Sequence, residues 1–341
     1  MFTDIRLLSQ QLAEPQFDTP RELVSHMGAM QAQDYRMAKW AVGIRLRRGS
    51  IGAVDGAVAR GEILRTHVMR PTWHFVAAED IRWMVRLSAR RVRMANESSG
   101  RSHKLGFTEE MYRRGNGALE RMLEGNKSLT REEIRTELER AGLPSDTTAV
   151  RRFLIRAETD GLVCSGPDRG AKPTYALLEE RVPPVPKITP EEALARLARS
   201  YFRSHAPATL ADFAWWSGLG LTEAREAVAL IGQELVREGE WLVHVSCRDS
   251  PAGEVLHLLP SYDEYLIAYK DRTGVLAREY QTRAFSNNGI FQPVVLHNGY
   301  IRGNWGRCGA DVSFFEPAGE VAPELLERAI NHYRTFHAKK P

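Results

Sequence analysis

Two glutamines separated by a single alanine, Gln31 and Gln33, sit in the stretch "MQAQDYRMAKWA" from Met30 to Ala41. A primary amide does not titrate, so the pair is unsuited to abstracting a proton. Its carbonyl can accept from a water and its NH2 can fix the orientation, so the chemistry open to it is holding a nucleophilic water in place. Taken alone, the pair reads first as a polar turn ahead of an apolar helix, satisfied by backbone groups. In a bend, both side chains can face one cavity. Asp34 reads as the N-cap of the helix "YRMAKWAVGIRLR".

A second set of residues concentrates positive charge. In "EDIRWMVRLSARRVRMANESSGRSHK", from Glu79 to Lys104, Arg82, Arg86, Arg90 and Arg93 recur every three or four positions and share one helical stripe. Asp80 can cap the start, and Ile81, Met84, Val85 and Val92 fall on the opposing face. Arg91, Arg101 and Lys104 add charge, against Glu97 alone after the start. A solvated surface helix usually mixes signs. A stripe of one sign fits contact with phosphates, which makes affinity salt-dependent.

These residues need elements to carry them, and the chain repeats one layout three times. "TPRE" at Thr19, "TREE" at Thr130 and "TLAD" at Thr209 each open a helix with a Thr cap and an acid three residues later that reaches back to the cap amide. Pro20 occupies the first helical position, where its missing N–H costs nothing. A second helical stretch, a glycine (Gly61, Gly161, Gly239) and an apolar strand follow. The first unit is longer by an insertion placed at "GSIGAVDGAVAR". Helix, helix, glycine, strand, turn, strand is the order of a winged helix–turn–helix.

The second unit shows this best. In "TTAVRRFLIRAETDG", Val150, Phe153, Leu154 and Ala157 share a face while Arg151, Arg152 and Arg156 lie on others. The turn of its hairpin presents Arg169 and Lys172, and the first hairpin presents Arg70. The neighbouring His67 and His74 read as structural. A Pro-rich linker from Glu179 to Glu192 precedes the third unit. Beyond Val245, β-branched and aromatic runs flank His297-Asn298-Gly299, where Asn-Gly suits a type I′ hairpin turn. "PELLERAINHYRTFHAKK" reads as a closing helix. The fold class expected is therefore α+β: three tandem winged helix–turn–helix units over 1–104 (with the basic helix), 105–182 and 188–248, then a β-rich domain over 249–341.

Other classes are excluded or left without support. Cys164, Cys247 and Cys308 stand far apart with no metal-ligand spacing and no disulfide framework. No phosphate loop, dinucleotide fingerprint or Ser/His/Asp pattern occurs, and neither a metal nor a redox cofactor is expected. "MFTDIRLLSQQL" has no apolar signal core and no run is long enough to cross a bilayer, so a cytoplasmic protein without a membrane partner is expected. The formal net charge of +4 points to an anionic partner only if it is clustered.

"MQAQD", "LRTHVMRPTWHFV", "DFAWWSGL", "LLPSYDEYLIAYKDR" and "NGYIRGNW" follow one another in that order. Together they resemble the bacterial winged-helix DNA glycosylases, the AlkZ group and its YcaQ (AlkX) relatives, over nearly the whole chain. The resemblance implies tandem winged helices and a C-terminal β domain forming a basic channel for double-stranded DNA. It further implies excision of N7-alkylated purines and unhooking of purine-linked interstrand crosslinks. The catalytic motif of the group is Gln, an apolar residue, then Gln or Asp, and it falls on Gln31, Ala32 and Gln33. The YcaQ relatives carry Asp at the third place, so Gln33 places this chain nearer the AlkZ subgroup.

Glutamine suffices for that chemistry because an N7-alkylated purine already carries the positive charge its departure requires. The base leaves neutral, the sugar becomes oxocarbenium-like, and a catalyst need only hold water at the anomeric carbon and favour the developing charge. The resemblance thus makes Gln31 and Gln33 catalytic candidates in a monomeric, monofunctional glycosylase without a lysine nucleophile. The DNA contacts expected are Arg70, Arg82, Arg86, Arg90, Arg93, Arg151, Arg152, Arg156, Arg169 and Lys172. Asp263, in "SYDEY", reads as a turn or cap residue. Tyr262, Tyr265, Tyr269, Trp215 and Trp216 read as packing. The competing reading is a non-catalytic winged-helix DNA-binding protein such as a transcription regulator. Against it, tandem wings in one chain do not match a dimeric repressor whose half-sites mirror a protein twofold.

Overall fold

A computed structural model describes residues 2–102, 106–248, 253–306, 311–316 and 321–338, with no account of the side chains of 99–102. Lys104, Cys308 and the expected boundary at 249 lie outside what is described, as does the side chain of Arg101. The chain divides into two compact units, Met1–Val54 with Leu194–Pro341, and Asp55–Ala193. The expected first segment, 1–104, is thereby shared between them.

The three anticipated helix starts are all capping boxes. Thr19, Thr130 and Thr209 accept from the amides of Glu22, Glu133 and Asp212, whose carboxylates return the bond to the cap amide. Each box satisfies two amides that the helix itself leaves unpaired, and removing such a cap costs about 1 kcal/mol. Asp34 caps Tyr35–Gly43, accepting from Met37 N at 3.2 Å. Asp80 is not a cap. The basic helix begins earlier, at Ala78, and Asp80 Oδ1 instead accepts the Trp83 indole at 2.8 Å.

In the second unit, the helices Arg131–Arg140 and Thr147–Thr159 lead through Gly161 to the antiparallel strands Val163–Ser165 and Thr174–Leu177. The short strand Leu129–Thr130 adds to Thr174–Leu177, so the hairpin gains a third strand from the residue that caps the helix. Val150, Phe153, Leu154 and Ala157 are 2% exposed or less. Burying the larger of them contributes roughly 1.5–3 kcal/mol apiece. The insertion of the first repeat is a helix, Ile51–Arg60, followed by the hairpin Ile63–Val68 and Thr72–Ala77. In the basic helix Ala78–Ser102, Ile81, Met84, Val85 and Val92 are buried as expected.

In the first unit, Leu210–Ser217 and Leu221–Leu230 precede a three-stranded sheet ordered Ala208–Thr209, Trp241–His244, Leu235–Glu238. Gly239 is therefore the turn between two strands and not the lead into the first. The stretch "LVRE" ahead of Gly239 is already strand. The φ of Gly239, 63°, is the left-handed conformation that glycine adopts without steric cost.

A four-stranded antiparallel sheet of Leu256–Leu259, Val294–His297, Tyr300–Trp305 and Val312–Phe314 forms the C-terminal part. Asn298 and Gly299 turn its central hairpin with φ of 47° and 85°, both positive as a type I′ turn demands. The helix Pro323–His337 packs on Leu256–Leu259, and its Tyr333 and Phe336 rings meet Trp40.

Candidate active site and nucleic-acid interface

Gln31 ends the buried strand Ala29–Gln31 and is 5% exposed. Gln33, after the strand ends and just before the Asp34 cap, is exposed. The two amides thus stand in different surroundings. Gln31 is held from behind. Its main-chain N–H donates to Glu264 Oε1 at 2.6 Å, and both groups are buried. Glu264 Oε2 accepts the Trp216 indole N–H at 3.1 Å, and His205 Nε2 lies 3.4 Å from the same oxygen. Burial lowers the proton affinity of His205, which is therefore neutral near pH 7.

The segment carrying Glu264 is itself anchored. Asp263 caps the one-turn helix Glu264–Ile267, accepting from Tyr265 N at 2.9 Å. It also forms a bidentate pair with Arg45, at 2.7 and 2.9 Å. Arg45 donates further to the Gln10 carbonyls of main chain and side chain, at 3.0 and 3.1 Å, and to Ala41 O at 3.0 Å. A fully bonded guanidinium repays part of its desolvation, which an isolated buried arginine does not. Ser261 Oγ donates to Asp34 Oδ2 at 3.2 Å, tying the same loop to the cap beyond Gln33. Tyr265 and Tyr269 are core, as expected, with hydroxyls donating to Gly299 O and His205 O, both at 2.8 Å. Trp216 is core as well, whereas Trp215 is 40% exposed and donates to Ile267 O.

The basic residues of the other unit divide into two groups. Arg86, Arg90, Arg151 and Lys172 are exposed. Lys172 borders a concavity shared with Arg65, Trp73, Arg131, Glu132 and Tyr175. Arg70 lies half-buried in the turn between Val68 and Thr72. The remainder meet protein acceptors. Arg82 forms a bidentate pair with Glu179, and Arg93 pairs with Asp160 at 2.5 Å. Arg156 bridges Glu109 and Asp160, and Arg169 folds back onto Glu133. The Arg169 guanidinium, with the Thr130 cap, holds the Glu133 carboxyl at about 2.

Arg152 departs furthest from expectation. Its spacing puts it off the apolar face, yet it is 4% exposed, donating to Asn96 O and Tyr112 OH at 2.5 and 2.6 Å over the Phe107 ring. A long guanidinium stem can cross from a polar face into the core when carbonyl and hydroxyl partners wait there.

The family model of AlkZ-like DNA glycosylases matches residues 24–336. The chain belongs to this family. A relative from Streptomyces sahachiroi described as an interstrand DNA cross-link repair glycosylase is 25% identical over 332 residues, 87% of this chain and 85% of the relative. The solved structure of Streptomyces sahachiroi DNA glycosylase AlkZ aligns with a TM-score of 0.76, at 22% identity, over 98% of this chain and 95% of that one. At that identity the likeness speaks to the fold. As a DNA glycosylase by family, this chain has DNA as its partner. Among the described residues no helix is long and apolar enough to cross a membrane.

Sequence reasoning did not single out Glu264, Arg45 or the buried pair of His67 Nδ1 with Glu158 Oε2 at 2.5 Å. Glu264 left one signal: it stands beside Asp263 in the otherwise apolar and aromatic run "LLPSYDEYLIAY". Two adjacent acids there must be bonded or exposed, and both prove buried, at 2%.

Proposed function

We propose that this AlkZ-like glycosylase hydrolyses the N-glycosidic bond of N7-alkylated purines in double-stranded DNA and unhooks purine-linked interstrand crosslinks. It works as a monomeric, monofunctional, cytoplasmic enzyme built on three tandem winged helices and a β domain. Gln31 and Gln33 orient the attacking water and face the oxocarbenium-like sugar. Positively charged leaving groups need no general acid, which is why two amides suffice. The reading rests chiefly on Gln31, a motif glutamine held at a strand end by a buried bond from its own main chain to Glu264. Arg86, Arg90, Arg151 and Lys172, all exposed, are the phosphate contacts of this reading, with Arg70 at the turn of the first hairpin.

The test is excision. Duplex DNA carrying N7-methylguanine, incubated with the protein, should yield alkali-labile abasic sites, and a purine-crosslinked duplex should yield single strands on denaturation. Gln31→Ala combined with Gln33→Ala should reduce the single-turnover rate by about a hundredfold or more while sparing affinity for abasic duplex. Full DNA binding with no product from either substrate would leave the non-catalytic DNA-binding reading in its place. Wild-type excision by the double variant would sink the site.

A further inference from the structure

The two glutamines bring dipoles to a reaction whose sugar becomes a cation, but they bring no charge. A carboxyl group is nevertheless close at hand. Glu264 is 2% exposed and touches Gln31 directly, Oε1 to main-chain nitrogen at 2.6 Å. Its other oxygen meets the Trp216 indole at 3.1 Å and lies 3.4 Å from His205 Nε2. These three groups come from three separate stretches of the chain and converge on one carboxyl.

Every one of these contacts presents, or can present, an N–H to the carboxyl, and such hydrogen bonds offset part of the cost that burial sets on a carboxylate. Holding a carboxylate in a core is costly, and a glutamine could accept the Gln31 amide and the indole as well. The excess of a carboxylate over an amide at this position is a negative charge. In a water-poor site such a charge acts over a longer range than it does in solvent.

We propose that Glu264 is the charged partner of the glutamine site. It is a positioning residue that locks the Gln31 main chain and sets a buried negative charge behind it, favouring the cationic sugar over the neutral ground state. This inference rests on the assignment of Gln31 to the active site.

The experiment compares Gln31→Ala, Glu264→Gln and Glu264→Asp in single-turnover excision of N7-methylguanine, with affinity for abasic duplex and the melting temperature measured on each. Glu264→Gln keeps the acceptor and removes the charge. It should bind and melt like the wild type while excising at least about tenfold more slowly. Glu264→Asp keeps the charge and should retain most of the rate. A purely structural role would move melting and affinity and would not separate Gln from Asp. A slow Gln31→Ala with a folded Glu264→Gln at the wild-type rate overturns this proposal alone. A wild-type rate in Gln31→Ala overturns the site assignment and this proposal with it. Should Glu264→Gln not fold, Glu264→Asp decides. A folded aspartate variant that retains most of the wild-type rate supports the charge, and one slowed by about tenfold or more refutes it. Failure of both to fold also refutes it.

Discussion

Arg45 and Asp263 form a bidentate ion pair, at 2.7 and 2.9 Å, with both side chains essentially out of solvent. The pair ties the helix Tyr35–Gly43, through the residues that follow it, to the turn that presents Glu264 to Gln31. Removing one partner strands the other charge in the core. Arg45→Ala should therefore lower the unfolding free energy by about 3–5 kcal/mol in urea titration. Arg45→Met with Asp263→Leu should cost less than the two single changes summed, because no charge is left unpaired. Strict additivity of the single and double variants would refute the coupling.

The exposed and the engaged arginines should behave differently towards DNA. Abolishing one phosphate interaction reduces the slope of log affinity against log salt by about 0.9. Arg86→Ala with Arg90→Ala should thus flatten the slope by about two and leave the melting temperature unchanged. Arg152→Ala should instead destabilise the fold by about 2 kcal/mol or more, because it removes the donors to Asn96 O and Tyr112 OH. An unchanged slope in the Arg86/Arg90 double variant would remove the basic helix from the interface.

Stability should fall on mild acidification. Burial lowers His26 and His257 from 6.5 to about 4, and lowers His205 as well. In the unfolded chain these imidazoles take up protons as the pH drops through 6.5, while in the folded chain they resist until about 4. The stability they allow is complete above that range, is lost progressively across it and changes no further below it. Melting temperatures measured from pH 7.5 to 4 should decline over this window, and His257→Gln should flatten part of the decline. A wild-type melting temperature constant over the window would contradict the burial of these rings.

Much of the architecture is legible in local pattern. The three Thr-x-x-acid caps, the Asp34 cap, the Asn298-Gly299 hairpin and the apolar faces of Ala78–Ser102 and Thr147–Thr159 form as read. Each depends on residues a few positions apart, so the determinants lie within one window of sequence. Two of the departures share an origin in local pattern that the fold overrides. Asp80 accepts a tryptophan indole, and Gly239 falls between two strands and not ahead of the first.

What periodicity cannot supply is the partner of a charge. The spacing of Arg82, Arg86, Arg90 and Arg93 determined that they share a stripe. Only the fold decided that Glu179 neutralises the first and Asp160 the last, leaving the middle two free of those acids. Likewise the motif places Gln31 by type and position, while the carboxylate touching it comes from 233 residues away. Short-range backbone geometry is written locally because hydrogen bonds in caps and turns close small loops. Charge compensation and burial act through space, and only the packed chain brings Glu264 to Gln31.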